Sequence, residues 1–288
     1  MKRHAYLILA HNNFEVTRYL IAALDDSRND IYIHFDKKIK ELPAFTTYQA
    51  KLFVLDDRVD IRWGDKSIVE AEYKLFEAAV VRDYGYYHLL SGVDMPLKSQ
   101  EYIHAFFAKH FGKEFIGFAQ YDYAKEVERK MNRIHLFPRS FRAEDENFIY
   151  WLKRGVRAAF IKFQEWINYL RNTDISFKKG VQWVSVTHDF VKCLLAHKAE
   201  VLAFCRYTFC SDEIYKHTIC WNSHFRDKIY HKSDEAIGCM RKIQWDNGRI
   251  HIWEEKDYNI LMDSDYLFAR KFNEDQIAVV ERIYHAIT

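Results

Sequence analysis

AYLILAHNNFEVTRYLIAALDDSRNDIYIHFDKK, residues 5–38, is the stretch that decides the fold. Tyr6 to Ala10 is a short apolar run, broken by His11-Asn12-Asn13. Val16, Leu20, Ala23 and Leu24 then recur at helical spacing, and Ile31 to Phe35 is apolar again before Asp36-Lys37-Lys38. Strand, turn, helix and strand in that order predict a parallel pair joined by a crossover helix.

The alternation continues outward. Leu52 to Leu55 and Val59 to Trp63 predict two short strands around Asp56-Asp57-Arg58. A helix follows from Ser67, with Ser67 as cap, Glu70 closing a capping box, and an apolar stripe of Ile68, Ala71, Leu75 and Ala79. Tyr86 to Leu90 predicts a strand ending in Ser91-Gly92-Val93-Asp94. The expected class is α/β, a mostly parallel central sheet flanked by helices. The second half is less regular. It predicts a long helix over Phe148 to Leu170, a strand over Val181 to Val186, a helix over Asp189 to Lys198 and a terminal helix over Gln276 to Ala286. Lys242 to Trp245 and Arg249 to Trp253 predict a hairpin across Asp246-Asn247-Gly248, since Asn-Gly favours tight turns. No repeat or linker separates these parts. The expectation is one domain over 1–288.

Composition narrows the function. With 49% hydrophobic and 29% charged residues, the 288-residue chain is globular rather than disordered. Lys plus Arg (43) against Asp plus Glu (41) leaves +2, so no polycation drives nucleic-acid binding. Five cysteines, all in the last third and without a CxxC pair, support neither a zinc site nor a disulfide framework. They read as free thiols of a reducing cytoplasm. No signal peptide and no run of ~18 apolar residues is present, so a cytoplasmic location is expected.

In an open α/β sheet, ligands bind beyond the carboxyl ends of the strands. Four loops there carry polar groups: His11-Asn12-Asn13, Asp36-Lys37-Lys38, Trp63-Gly64-Asp65 and Gly92-Val93-Asp94. Each alone is adequate as a helix cap. Together, rings and carboxylates suit a nucleobase and a ribose. There is no GxGxxG after the first strand and no GxxxxGK[ST], so dinucleotide and P-loop readings fail. Asp263-Ser264-Asp265 spells an acid-x-acid triplet of the kind that holds a metal for nucleotide-sugar enzymes. Its late position reads instead as a turn or a helix cap.

Several segments carry a family resemblance in their order: Ala10-His11-Asn12, the run from Tyr32 to Lys38, the run from Tyr87 to Ser99, Gln182-Trp183, Ser211-Asp212-Glu213, and the run from Leu267 to Phe272. The chain resembles the core-2/I-branching β-1,6-N-acetylglucosaminyltransferases and peptide O-xylosyltransferases from Ala5 to Phe272, with a poor match from about Tyr121 to Lys179. The resemblance implies a GT-A type fold with a nucleotide-binding half over about 1–120 and an acceptor-binding, catalytic half over about 121–288, a UDP-sugar donor, inversion at the anomeric carbon and no divalent metal. Without the anchor, stem and disulfides of animal members, the chain is similar to a compact bacterial relative.

Carried over position by position, Ala10, His11 and Asn12 are expected at the uridine, with Asp36, Lys37 and Trp63 completing the nucleoside pocket. Glu213 matches the catalytic base, and Asp212 orients its loop. Taken alone, Ser211-Asp212-Glu213 would be ordinary helix N-terminal chemistry. Arg249 and Lys271 match the two phosphate-binding cations, with Arg270 as helper; the bland reading is an exposed basic pair. Asp94 and Trp183 are expected on the substrate. Trp183, Trp245 and Trp253 offer ring faces to a sugar, although Trp is more often core. Glu126, Arg129 and Arg133, at roughly helical spacing, fit either an acceptor-cleft lining or a solvated face.

The expected function is therefore metal-independent, inverting transfer of N-acetylglucosamine, or else xylose, from a UDP-sugar to a glycan acceptor that is free or lipid-linked. The rival is a non-catalytic glycan- or nucleotide-binding protein that kept the fold. The aromatic and cationic segment Phe148 to Leu170, with Lys153, Arg154 and Arg157, leaves two readings: a helix in the headgroup layer of an anionic membrane, or a core helix whose cations snorkel out. Apolar residues on more than one stripe favour burial inside the protein.

Overall fold

The computed structural model describes residues 2–142 and 147–288. Its strands are β1 (His4–Ala10), β2 (Asn29–Phe35), β3 (Lys51–Val54), β4 (Tyr86–Ser91), β5 (Asp94–Pro96), β6 (Ser185–Thr187), β7 (Arg241–Ile243), β8 (Trp245–Asp246), β9 (Arg249–Ile250) and β10 (Phe268–Arg270). Its helices are α1 (Phe14–Ala23), α2 (Ser67–Val80), α3 (Gln100–Lys109), α4 (Ala124–Met131), α5 (Phe148–Trp166), α6 (His188–Ala196), α7 (Lys198–Phe204), α8 (Tyr215–Trp221), α9 (Glu235–Cys239), α10 (Tyr258–Met262) and α11 (Ile277–Ile287).

The main sheet has the order β3-β2-β1-β4-β6, parallel except for the β4/β6 pair. The period of two along each strand sorts the core into two layers. Leu7, Leu9, Tyr87 and Leu89 pack on one face with Leu75 and Phe76 of α2 and Phe190 of α6. Tyr6, Ile8, Ile33 and Leu90 pack on the other with Leu20 of α1 and Val280 of α11. Both faces are covered, as a parallel sheet requires. A second sheet, β5-β10-β7, joins late strands to the first half, because Phe268, Ala269 and Arg270 pair with Pro96, Met95 and Asp94; β8 and β9 form a separate hairpin. β6 likewise inserts the second half beside β4.

Several local expectations change. Val59 to Trp63 is extended but is not a strand. The Val59 N–H donates to His34 Nε2 (2.9 Å) and the Lys37 N–H to the Val59 carbonyl (3.0 Å), so loop contacts replace a ladder. Ser67 is not the cap of α2, because its hydroxyl accepts from the Arg62 N–H (2.7 Å) and its own N–H donates to Asp65 (2.8 Å). Glu70 pairs with Lys66 instead (2.6 Å). The strand predicted from Val181 shortens to Ser185–Thr187. The hairpin forms on Asn247 (φ 50°) and Gly248 (φ 77°), both in the left-handed region its turn demands. Asp263 follows the last turn of α10, and the Ser264 hydroxyl donates to the Leu261 carbonyl (2.6 Å), so the acid triplet is a helix-end turn.

The largest change is α5. Its buried residues are Arg157, Ile161 and Gln164, whereas Phe148, Leu152, Phe163 and Trp166 are exposed. It is neither a core helix nor a snorkelling one: its polar side faces the protein.

Candidate active site

β1 and β4 are adjacent and parallel, but the chain runs from β1 to β2 on the opposite side, so the crevice beyond their carboxyl ends is a topological switch point. Ala10 ends β1 there. It is buried, and its carbonyl accepts the Asp36 N–H (3.0 Å), which leaves its neighbours His11 and Asn12 exposed at the rim. Asp36 is buried beneath, its carboxylate accepting from the Lys38 N–H (2.9 Å) and held 3.0 Å from Lys38 Nζ. Lys37 points to solvent, and Trp63 is more than half exposed, edge-on to Phe209 at 5.3 Å. The crevice thus offers a ring, a carboxylate and strand-end polar groups.

Ser211–Glu213 form a single 3-10 turn after Cys210, which is left-handed at φ 51°. Two backbone bonds place it. The Cys210 N–H donates to the Gly64 carbonyl (2.8 Å), and the Gly180 N–H donates to the Glu213 carbonyl (3.0 Å). Both glycines are required by geometry. A Cβ on Gly64, at φ +81°, would meet the Phe209 ring at 2.6 Å, and one on Gly180 would lie 1.8 Å from the Gly117 carbonyl. Since β6 is antiparallel to β4, the segment entering it lies at the carboxyl end of β4, and Glu213 is held beside the same sheet edge.

The partly exposed Glu213 carboxylate stands 3.3 Å from Lys130 Nζ and 3.8 Å from Lys179 Nζ. Glu126 shares both cations, at 2.7 Å and 3.3 Å. Partial burial alone would raise the Glu126 carboxyl, but hydrogen bonds from Lys130 and Tyr121 and the charge of Lys179 outweigh it and hold it at about 2. Lys130 is pushed up: burial opposes its charge, but Glu213 and Glu126 more than compensate. Two ammonium groups against two carboxylates give a charge-balanced cluster in which Glu126 and Glu213 are both partly exposed.

Behind the turn, Glu72 and Lys216 are fully buried 2.5 Å apart, with Glu72 also accepting from Tyr215 (2.5 Å) and Gln182 (2.7 Å). Lys216 in turn donates to the Asp212 carbonyl (3.1 Å). The Asp212 carboxyl is pushed up by desolvation and by Glu213 and Glu72, against the pull of Lys216. Asp212 therefore belongs to the support under the turn, with Glu213 the member that meets Lys130 and Lys179.

A cationic pole faces His11. Lys271 is pushed down by partial burial and by Arg270 and Arg142. His11 is lowered by desolvation and by Arg270, Lys38 and Lys271, with Asp36 opposing. Arg249 is exposed in β9. The segment after it is tied to Lys271, whose N–H donates to the His251 carbonyl (3.4 Å) and whose carbonyl accepts the Trp253 N–H (3.1 Å). Arg270 is committed: it pairs with Asp94 (2.6 Å) and lies over the Trp183 ring at 4.4 Å. Asp94 is buried, and its second oxygen accepts from the Ser91 N–H (2.9 Å). Asp94, Arg270 and Trp183 form one packed unit.

Some expected contacts lie elsewhere. Arg133 is buried and clamps α5, donating to the Gln164 carbonyl (2.9 Å) and to Glu128 (2.7 Å). Arg129 is exposed, while the Glu126 and Lys130 face of α4 meets Glu213. Trp253 is core, its indole N–H on the Arg270 carbonyl (2.9 Å); Trp245 is exposed in the hairpin. Sequence reasoning missed Glu72, Lys130, Lys179, Lys216 and Arg142. The Glu126/Lys130 spacing of four was the one local signal available.

The five thiols are unpaired, and no helix among the described residues is long and apolar enough to cross a membrane. A comparison with curated proteins finds no match. The family described as Core-2/I-Branching enzyme matches residues 4–267, a span that holds β1, the switch-point crevice, the Glu213 turn and the hairpin. With a parallel-rich α/β sheet and that match over most of its length, the chain belongs to the core-2/I-branching enzyme family, a family of glycosyltransferases with a GT-A-like fold.

Proposed function

We propose that the protein transfers a sugar from a UDP-sugar to a hydroxyl of a glycan with inversion and without a divalent metal, N-acetylglucosamine standing ahead of xylose as the sugar. The observation that supports this reading is a partly exposed carboxylate, Glu213, held by backbone bonds at the sheet edge beyond β4, together with a cation group of Lys271, Arg270 and Arg142, the first two of which reach His11 beyond β1 with their charge. Inverting transfer is a single displacement. Glu213 takes the proton from the attacking hydroxyl while the C1–O bond to UDP breaks on the opposite face. The leaving diphosphate gains charge, which Lys271 and Arg249 offset, Arg with two donors and Lys as a point charge. Arg270 holds Asp94 and Trp183 in place behind them. His11, Asn12, Asp36, Lys37 and Trp63 receive the uridine.

For the acceptor we favour a glycan carried on a lipid, in keeping with the apolar surface of α5 beside α4 (treated next). Free thiols fit a reducing cytoplasm. A UDP-release assay against UDP-N-acetylglucosamine, UDP-xylose and other UDP-sugars, with mixed glycan acceptors, tests the reading. Acceptor-dependent UDP release is expected. UDP binding with no turnover on any pair would favour a binding protein that kept the fold.

A further inference from the structure

α5 is an amphipathic helix turned inside out. Arg157, Ile161 and Gln164, at i, i+4 and i+7, are the residues it buries. Its attachment is mostly polar. Gln164 accepts from the Ile134 N–H (2.8 Å) and donates to the Ile134 carbonyl (2.9 Å), Arg157 donates to the Ser140 carbonyl (2.8 Å), and the Arg133 guanidinium reaches the Gln164 carbonyl. Phe148 and Trp166 each lie nine residues from Arg157, and nine steps of about 100° make half a turn beyond two full ones. They are 80% and 81% exposed. Trp151, Leu152, Val156 and Phe163 flank them and are exposed as well. A monomer that loses polar surface beneath a helix and leaves this row in water has gained nothing from burial. The row calls for a partner.

We infer that α5 lies on an anionic lipid surface, its Phe148–Trp166 face in the headgroup layer. This rests on α5 alone and not on the donor or base assignments. Charge selects lipid. Of the five cations from Phe148 to Arg171, Arg157 is buried on the protein side and Lys153 and Arg171 are half-buried, which leaves Arg154 and Lys162 exposed with the single acid Glu165. Arg154 lies over the Trp151 ring at 5.0 Å, a cation and an indole at one level, as at a membrane interface. Glu144, Asp145 and Glu146 precede the helix in sequence, outside the described residues. A second copy is a poorer occupant: a two-fold contact would bring the same patch, and its cations, against itself. α5 is not apolar enough to span a bilayer, which leaves the surface. Docking would also set the cleft near the headgroups, since Arg133, which clamps α5, follows the α4 helix whose Lys130 stands beside Glu213.

Flotation of the full chain with phosphatidylcholine/phosphatidylglycerol vesicles, and with pure phosphatidylcholine, tests this. Binding is expected to the anionic vesicles at low salt, to weaken as salt rises, and to be slight on neutral ones. Arg154→Gln with Lys162→Gln should weaken it about 25-fold, on ~1 kcal/mol per cation at an anionic surface. Phe163→Ser with Trp166→Ser should abolish it while leaving the urea midpoint and UDP affinity unchanged. Absence of binding to anionic vesicles at low salt overturns the inference. So does binding indifferent to both variants, or a sedimenting dimer that the Phe163→Ser/Trp166→Ser variant dissolves in a protein that ignores vesicles.

Discussion

Lys130 Nζ stands 3.3 Å from Glu213 Oε2, although 83 residues separate them in the chain. The pair joins α4 to the turn after Cys210 and fixes the position of the carboxylate. Glu213→Gln keeps the shape of the side chain and removes the base. Transfer should fall ~10²–10⁴-fold, the range of a general base, with UDP affinity by calorimetry held within a few-fold. Near-normal turnover in this variant would take the base assignment away from Glu213.

Lys271 is crowded by Arg270 and Arg142, and crowded cations favour an arriving diphosphate. Lys271→Ala should weaken UDP binding and slow transfer by ~100-fold. Activity should persist in excess EDTA. Strict dependence on Mn²⁺ would contradict a cation-only mechanism.

Glu72 and Lys216 hold the floor of the Glu213 turn from within the core. Lys216→Met leaves the Glu72 carboxylate buried without its counter-charge, at a cost of ~3–5 kcal/mol. Glu72→Leu combined with Lys216→Met should recover most of that. A urea double-mutant cycle measures the coupling; a Lys216→Met loss below ~1 kcal/mol would show that Tyr215 and Gln182 suffice for Glu72.

Burial lowers His34, His104 and His135 to about 4 and His217 to about 3, and places His4 and His88 lower than their ordinary value as well. In the unfolded chain each takes a proton near pH ~6.5. Between that pH and about 4 the unfolded state binds more protons, so stability falls as pH falls. Each buried ring contributes on the order of 3 kcal/mol across the window. The urea midpoint should be level above pH ~7 and drop steeply below pH ~6.5, with a shallower drop in His34→Gln. A midpoint level down to pH ~4.5 would mean these rings are protonated in the fold.

Periodicity sufficed where one local force dominates. The run from Ala5 to Lys38 alternates apolar strand, amphipathic helix and apolar strand, and β1, α1 and β2 form there. Asn247-Gly248 made its hairpin for the same reason, since the turn's dihedrals are a property of two residues. The loops after β1, β2 and β4 follow from parallel topology, whereas Trp63-Gly64-Asp65 follows no strand. Val59 to Trp63 was misread because His34 and Lys37, from another strand end, take its hydrogen bonds.

The sequence by itself thus determined the α/β sheet and the family, and through motif order it nominated Glu213 and Lys271 as the groups to test. Tertiary structure decided what each charge does. Arg133 and Arg157 look like surface cations in one dimension, yet both anchor the polar underside of α5. Lys130 and Lys179 carry no motif, yet they flank Glu213. Local propensity depends on neighbours along the chain. A charge acquires its role from the dielectric and the partners around it, and those come from residues 83 or 144 positions away that only packing brings within a few ångströms.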